Sequence, residues 1–315
     1  MGRKRTSPLI DWPAIVDKSA ELVKGYLASG IRPTLRQVHY RLASLQVGGY
    51  QNTVNCYKSL SRKLVDARKD DLIPWNGLAD HIRKRMWHQL DESIDFREIL
   101  ESYIDDLGID PWEKQGKHLV IWIEKDALAE LVSDVAKQFY VPVCVGRGYS
   151  SWTFVHDNLD ILESDLETTI LYLGDHDPSG MDIERALGDA ILYFSGDFGL
   201  GLNLGQVLKD AGLSGNRTRR LALTYDQVQR FKLLPNPTKQ ADSRSGPYVA
   251  QYGDQCWELD ALDPTVLKNL VTQAIEAEID RDSWTQVETE NRKRRDKVLE
   301  QLEDIDLDLE EADRV

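Results

Sequence analysis

The sequence lacks any apolar run of about 18 residues or more, the length that suggests a membrane-spanning helix. No transmembrane segment is therefore expected. The basic start, MGRKRTSPLIDWP, is not followed by an apolar core, which argues against a signal peptide. There are only three cysteines, and they are far apart and fit no metal-ligand spacing. We expect free thiols and a cytoplasmic protein.

The sequence also contains no GxxxxGK[ST] segment, so the chain by itself is not expected to hydrolyse a nucleoside triphosphate. Its formal net charge of −14 argues at first against a nucleic-acid partner. The charge is unevenly distributed, however. Residues 1–100 hold 17 Lys and Arg against 11 Asp and Glu, whereas the rest hold 22 against 42. The N-terminal part is therefore basic and the rest acidic, so a DNA-binding surface in the N-terminal part is compatible with the negative net charge. A protein that binds DNA in this way would be associated with the nucleoid.

Three helices are predicted in the basic part. The first has Pro13 in its first turn, and the second follows Thr34 as N-cap. The third, TVNCYKSLSRKLVDARKDD, carries an apolar side of Val54, Tyr57, Leu60, Leu64 and Val65. Three short helices, the last of them basic, are typical of a helix-turn-helix module whose last helix enters the major groove. A basic face that is merely solvated explains the same pattern. If the module binds DNA, the basic residues of its third helix contact the phosphates: Lys58, Arg62 and Lys63.

A different pattern begins after an acidic stretch at about 100–117. Short apolar runs, HLVIWI, VPVCVG, TTILYLG and RLALT, alternate with helical segments. This alternation predicts an α/β fold with a mainly parallel sheet and helices on both faces. We expect a DNA-binding domain over 1–110, the α/β domain over 117–235, and a polar loop with a charged, acidic helical extension over 236–315.

Three carboxylates follow the ends of predicted strands. Glu124 comes after HLVIWI, and Asp175 and Asp177 come after TTILYLG. Because ligands of parallel sheets bind at the carboxyl ends of the strands, these side chains should share one edge. Carboxylates that converge repel one another unless a cation lies between them, and Mg²⁺ favours such oxygen ligands. The alternative is that the two aspartates only form a turn and a helix cap before Pro178.

The segments VIWIEKDALAEL, VCVGRGYSS and TILYLGDHDPSGMDI together resemble a Toprim domain, the metal-binding fold of topoisomerases and primases. Within that superfamily they are most similar to the A subunit of type IIB topoisomerase (topoisomerase VI) and to the meiotic double-strand-break protein. The resemblance covers roughly residues 118–190. It implies that Glu124, Asp175 and Asp177 bind Mg²⁺, with Mn²⁺ as an alternative, and that Lys125 belongs to the catalytic set.

That family also carries a winged-helix domain before the Toprim domain, with a catalytic tyrosine in a segment like RQVHY. Here Arg36 precedes Tyr40 by four residues. The resemblance therefore implies that Tyr40 attacks a DNA phosphodiester and that Arg36 assists, with His39 as a further helper. It also implies a homodimer on double-stranded DNA, contacts from Arg147 and Tyr149, and a separate ATPase subunit as partner.

The sequence departs from the family in several places. The chain is short, the family's arginine after Gly-x-Gly-Tyr is absent at SSWTF, and His176 stands between the two aspartates where a small residue is usual. Glu258, in CWELDAL, has no derivable role. Three functions therefore stay open: DNA cleavage through a tyrosine, hydrolysis by a Toprim nuclease, and DNA binding without cleavage.

Overall fold

The computed structural model describes residues 10–79, 103–104, 108–146, 152–158, 167–197, 217–238, 242 and 244–303. Arg147 and Tyr149, predicted to contact DNA, lie outside the described residues. Near the N-terminus three helices pack around a core that includes Ile15, Val38 and Leu60. They are α1 (Trp12–Ala28), α2 (Leu35–Ser44) and α3 (Val54–Lys69).

The three helices begin where the sequence predicts. Asp11 caps α1 and Pro13 lies in its first turn. At α2, the Thr34 hydroxyl accepts from the backbone N–H of Gln37, and the Gln37 side chain accepts from the N–H of Thr34. This reciprocal capping box satisfies two backbone donors that the helix leaves unpaired, and it fixes the first turn of the helix that carries Arg36 and Tyr40.

Helix α3 has one buried side and one basic side. Leu60 and Leu64 are fully buried, as predicted. The prediction that Val54 belongs to the buried side is wrong, because its side chain is 68% exposed. Val54 is the first residue of the helix, which starts before it reaches the core. The basic residues of the other side are exposed: Lys58, Arg62 and Lys63.

The centre of the molecule is a four-stranded parallel sheet with strand order β2-β1-β3-β4. This confirms the predicted α/β class. A second, two-stranded antiparallel sheet pairs β5 with β6. The strands are β1 (Lys117–Ile123), β2 (Val143–Val145), β3 (Glu167–Leu173), β4 (Arg217–Ala222), β5 (Asn236–Pro237) and β6 (Gln255–Cys256).

Alternate residues of the central strands pack on opposite faces, as the two-residue repeat of a strand requires. Ile121 and Ile123 of β1 join one core with the helices Asp126–Ala136 and Pro264–Glu276, and Val120 and Trp122 join another with the helices Trp152–His156 and Pro178–Asp197. Burial on both faces explains why the strands read as continuous apolar runs. The helices that follow α3 are α4 (Pro111–Gln115), α5 (Asp126–Ala136), α6 (Trp152–His156), α7 (Pro178–Asp197), α8 (Tyr225–Phe231), α9 (Ser245–Tyr252), α10 (Pro264–Glu276) and α11 (Arg281–Glu303).

The region after residue 235 folds back onto the sheet before it extends. Leu267, Val271 and Ile275 of α10 are fully buried in the same core as β1 and α5. Helix α11 is charged along most of its length, as predicted, and buries Trp284 and Val287 near its start. Among the described helices, none is both long enough and apolar enough to span a bilayer.

Candidate functional site

Glu124 and Asp175 meet at the carboxyl end of the sheet. Strands β1 and β3 are neighbours in register to their last residues, Ile123 opposite Leu173, so the residues that follow are adjacent. The backbone N–H of Asp175 donates to Glu124 Oε2 at 3.3 Å, and the Tyr172 hydroxyl donates to the same oxygen at 3.4 Å. The predicted meeting of these two carboxylates at one edge is thus observed.

Asp177 lies beside this pair and also caps a helix. Its Oδ1 accepts a 2.6 Å hydrogen bond from the backbone N–H of Gly180, in the first turn of α7. This is the capping role that the sequence leaves open for it. The charge of Asp177 still acts on Glu124, because it contributes to raising the pKa of that carboxyl.

The pKa of Glu124 is raised to about 7, first by burial and then by the negative charges of Asp175 and Asp177. Burial also raises the pKa of Asp175, against the opposing effects of Lys125 and of the N–H of Leu259. Crowded carboxylates that are hard to ionise are the groups that a divalent cation would stabilise. The donor chemistry of this edge therefore fits a hard cation such as Mg²⁺.

The positive charge at this edge is the ammonium group of Lys125. It lies 3.1 Å from Asp175 Oδ1 and 3.2 Å from Glu258 Oε2, and it also pairs with Asp260. Burial alone would lower the pKa of Lys125, but the carboxylates of Asp260, Asp175 and Glu258 outweigh it and raise the pKa. Within the described residues, no three His, Cys, Asp or Glu side chains converge as ligands of one metal ion.

Glu258 and Asp260 also belong to the site, although the sequence analysis finds no role for Glu258 and does not single out Asp260. An antiparallel bridge joins the backbones of His176 and Trp257 through two hydrogen bonds of 2.9 Å. Two residues further on, the N–H of Leu259 donates to Asp175 Oδ1 at 2.7 Å. The segment after β6 therefore folds over the carboxyl end of β3 and delivers both acids. Their spacing, one residue apart as in Asp175 and Asp177, is the signal that could have identified them.

Arg36 connects the N-terminal helices to this acidic cluster, here defined as Glu124, Asp175, Asp177, Glu258 and Asp260. Its guanidinium forms an ion pair with Glu258 Oε2, the same oxygen that contacts Lys125. The pKa of Glu258 is lowered, because Lys125 and Arg36 together outweigh the effect of its burial. A second cross-link is a 2.7 Å hydrogen bond from the Tyr26 hydroxyl to Asp263.

Tyr40 lies one helical turn after Arg36 and is buried, with 5% of its surface exposed. The Asn236 side-chain amide donates a 2.8 Å hydrogen bond to the Tyr40 hydroxyl oxygen. The pKa of Tyr40 is raised, mainly by burial and then by the charge of Glu258, whereas Asn236, Lys125 and Arg36 lower it. The structure thus brings Arg36 and Tyr40 to the edge of the sheet where the acids lie.

A chain of hydrogen bonds behind Tyr40 fixes the orientation of Asn236. The Asn52 amide donates to Asn236 Oδ1 at 3.1 Å, and Asn52 Oδ1 lies 2.9 Å from His39 Nε2. An amide oxygen only accepts, so His39 carries its proton on Nε2 and accepts from the Tyr50 hydroxyl, 2.7 Å away, on Nδ1. Burial lowers the pKa of His39, consistent with this neutral form. His39 therefore holds Asn52 in place. Among the described residues, the hydrogen bonds of its ring go to Tyr50 and Asn52 and not to Tyr40.

His176 lies between the two aspartates but points away from the acidic cluster into an aromatic group. Its Nδ1 lies 2.7 Å from the hydroxyl of Tyr248, and its ring packs against Tyr252 with centroids 4.7 Å apart. Burial lowers the pKa of His176 to about 4, and Arg220 adds to the effect. His176 thus packs against α9 and Trp257. Trp257 directly precedes Glu258, so these contacts help to position the segment that carries Glu258.

Comparison of the chain with models of protein families gives no match. Comparison with curated proteins gives no match either. The geometry described above is therefore the basis for assigning a function.

Proposed function

We propose that the protein cleaves DNA in a reaction that depends on Mg²⁺, with Tyr40 as the nucleophile, as in the A subunit of type IIB topoisomerases. One observation carries the proposal. Arg36, one helical turn before Tyr40, and Lys125 contact the same oxygen of Glu258, which is 222 residues from Arg36 in the chain. A tyrosine, two cations and a carboxylate-rich edge are the parts that phosphodiester transesterification requires.

The fold supports the proposal at the level of architecture. A parallel sheet of order β2-β1-β3-β4, with Glu124 after β1 and two aspartates after β3, has the arrangement expected for a Toprim domain. We also propose that α1–α3 form the winged-helix-type unit, with the exposed basic side of α3 toward the DNA phosphates. Two such chains would be needed to cut both strands of a duplex, which favours a homodimer.

In this reaction the Tyr40 oxygen forms a bond to phosphorus, and the bond between phosphorus and the leaving deoxyribose oxygen breaks. The Tyr40 proton is lost and the leaving oxygen gains one. The amide of Asn236 would orient the attacking oxygen, and Arg36 would stabilise negative charge on the phosphate. Glu124 and Asp175 would hold the cation directly, and Asp177 would add its charge beside them. When bound, the cation supplies further charge neutralisation at the phosphate.

The second candidate is a hydrolytic nuclease, and the burial of Tyr40 favours it. A buried phenol with a raised pKa is a poor nucleophile until it is exposed or deprotonated. By contrast, a water bound to a cation at these carboxylates would be activated without any change in Tyr40. In that reaction water, not Tyr40, would attack phosphorus, and no protein would remain on the DNA.

The experiment that tests the proposal is incubation of supercoiled plasmid with the protein and Mg²⁺, stopped with denaturant and divided into protease-treated and untreated halves. Tyr40→Phe and Asp175→Asn are compared with wild type. Their matched controls are Tyr57→Phe, a tyrosine of the same aromatic group, and Asp226→Asn, an exposed acid of α8.

Protein-linked breaks that are lost in Tyr40→Phe and Asp175→Asn but kept in both controls would support the covalent mechanism. Free-ended breaks that survive Tyr40→Phe would overturn it in favour of the hydrolytic nuclease. If DNA is bound but not cut under any condition, the cleavage proposal fails and a binding role is left.

A further inference from the structure

Arg220 of β4 is a largely buried arginine beside the loop that joins β3 to α7. Only 10% of its side chain is exposed. The register of the sheet pairs it with Tyr172 of β3, and its guanidinium lies over the Tyr172 ring, 5.1 Å from the centroid. Glu184 of α7 balances its charge, because Glu184 Oε2 accepts a 2.6 Å hydrogen bond from Arg220 Nε. A further bond of 3.2 Å runs from Nη1 to the carbonyl oxygen of Leu223, so the guanidinium is held in one orientation.

The same guanidinium donates to both ends of the loop between β3 and α7. Its Nη1 donates to the carbonyl oxygen of Asp175 at 3.1 Å and to that of Gly174 at 3.4 Å. Its Nη2 donates to the carbonyl oxygen of Gly180 at 3.0 Å. An arginine presents its donors in a rigid planar fork, which a lysine does not reproduce. Arg220 therefore ties together the two ends of the loop that contains Asp175 and Asp177.

The groups that Arg220 contacts also support the three carboxylates of the proposed cation site: Glu124, Asp175 and Asp177. Asp175 is held through its own carbonyl group. Asp177 Oδ1 accepts from the N–H of Gly180, the residue whose carbonyl oxygen accepts from Arg220 Nη2. Glu124 Oε2 accepts from the hydroxyl of Tyr172, the residue whose ring lies under the guanidinium. One arginine thus contacts the backbone and the tyrosine that position all three acids.

We propose that Arg220 is a positioning residue of the cation site, which fixes the loop between β3 and α7 so that the three carboxylates keep the arrangement in which they bind Mg²⁺. The inference rests on the proposed function, because this is the site proposed to hold the cation. Arg220 acts through the groups that orient the carboxylates, since its own ion pair among the described residues is with Glu184. Changing a residue that supports metal ligands typically lowers the metal affinity by about 10–100-fold.

The charge of Arg220 by itself predicts the opposite effect. A guanidinium near a cation site repels the metal ion, so removing an arginine that acted only through its charge would strengthen metal binding. Removing an arginine that served only the stability of the fold would leave the metal affinity of the folded protein unchanged. Weaker metal binding after the loss of a positive charge is therefore the result that distinguishes positioning from both alternatives.

The first test titrates the protein with Mn²⁺ alone, without DNA, and follows free Mn²⁺ by electron paramagnetic resonance. The relevant site is the one that Asp175→Asn removes. Each variant is measured well below its unfolding temperature, so that the affinity is that of folded protein. Arg220→Met should bind Mn²⁺ about 10–100-fold more weakly than wild type. Arg219→Met, which removes the same charge from the neighbouring, exposed position of β4, should bind as wild type does.

The decisive variant is Arg220→Lys. It keeps a positive charge for Glu184, so the fold retains an ion pair at this position, but one ammonium group cannot reproduce the fork that holds Asp175 and Gly180 together. We expect its Mn²⁺ affinity to be at least about tenfold below that of wild type. Wild-type affinity in Arg220→Lys, or unchanged or tighter binding in Arg220→Met, would overturn the inference and leave the proposed cleavage untouched.

The second test needs no metal ion. Hydrogen exchange of the peptide that covers residues 174–181 is measured by mass spectrometry on metal-free wild type, Arg220→Lys and Arg219→Met. Exchange should be faster in Arg220→Lys alone, because the N–H of Gly180 is hydrogen-bonded to Asp177 within this loop. Equal exchange in the three proteins would show that Arg220 does not fix the loop, which also overturns the inference. If wild type has no Mn²⁺ site that Asp175→Asn removes, this inference and the proposed Mg²⁺-dependent cleavage both fail.

Discussion

Asn236 donates a 2.8 Å hydrogen bond to the hydroxyl oxygen of Tyr40 across a sequence separation of 196 residues. Because the oxygen accepts this bond, the Tyr40 proton is directed elsewhere, and the negative form of the phenol is favoured. Asn236 thereby opposes the burial that raises the pKa of Tyr40. Its backbone lies in β5 and its amide is held by Asn52, so the orientation is fixed on both sides.

We expect Asn236→Asp to slow formation of the protein–DNA link by about tenfold, the effect of losing one charge-assisted hydrogen bond. The new carboxylate can only accept from the Tyr40 hydroxyl, which raises the pKa of Tyr40 further. The rate is measured in single-turnover reactions at several pH values near neutrality. The ratio of the two rates should stay constant there, because the raised pKa of Tyr40 keeps the phenol protonated in both proteins. Asn55→Asp, at an exposed position of α3, is the control. Equal rates for the two variants would contradict a role for Asn236.

Asp260→Asn should destabilise the protein by roughly 3 kcal/mol, because it removes one partner from a buried ion pair. Asp260 is 2% exposed and pairs with Lys125, whose ammonium would then retain only Asp175 and Glu258. Urea unfolding gives the free energy, and Asp254→Asn at an exposed position should change it by less than about 0.5 kcal/mol. The double variant with Lys125→Met should lose less stability than the two single variants together, because both changes disrupt the same ion pair. Simple additivity would show that the pair is not the cause.

Two glycines of α7 should respond in opposite directions to alanine. At Gly180 a Cβ would overlap the carbonyl oxygen of Asp175, so Gly180→Ala must displace the backbone that carries the predicted ligand. We expect a loss of at least about 2 kcal/mol together with loss of cleavage. At Gly188 nothing lies within 4 Å of the added atom, so Gly188→Ala should stabilise the helix by about 0.5–1 kcal/mol. Thermal unfolding of both variants distinguishes them.

The stability of the protein should fall as pH decreases from 6.5 toward 4, because the pKa of His176 is lowered from 6.5 to about 4 in the folded state. Between these two pH values, His176 binds a proton in the unfolded chain but stays neutral in the folded protein. The contribution of His176 to the free energy of unfolding is therefore complete above pH 6.5 and is lost as the pH falls toward 4. Its full size is roughly 3 kcal/mol. Urea midpoints at several pH values measure the slope, which His176→Gln should reduce. An unchanged slope would rule out His176 as its source.

Much of the sheet edge can be predicted from local sequence. Glu124 and Asp175 each follow an apolar run that forms a strand. When two such strands are parallel neighbours, the residues that follow them necessarily lie close together. The helix caps at Thr34 and Asp11 are equally local. Tyr40 is singled out only by the resemblance of RQVHY to the tyrosine segment of type IIB topoisomerase A subunits. By itself, one buried tyrosine on a helix has no distinguishing pattern.

The contacts between the remaining site residues could not be predicted in this way, because they join positions that are distant in sequence. Lys125 contacts Asp260 across 135 residues, and Arg36 contacts Glu258 across 222. Neither contact follows from a periodicity or a cap, since both depend on how α10 and the turn before it pack on the sheet. The capping role of Asp177 and the inward side chain of His176 likewise required the folded structure.

The ion pair between Arg36 and Glu258 has a consequence for the order in which the site is completed during synthesis. A ribosome adds about 5–20 residues per second, so Glu258 follows Arg36 by roughly 10–40 seconds. Until then the emerging chain has its tyrosine helix and its first carboxylates, but not the segment that joins them. A growing polypeptide therefore carries the separate parts of the proposed cleavage centre well before it can use them.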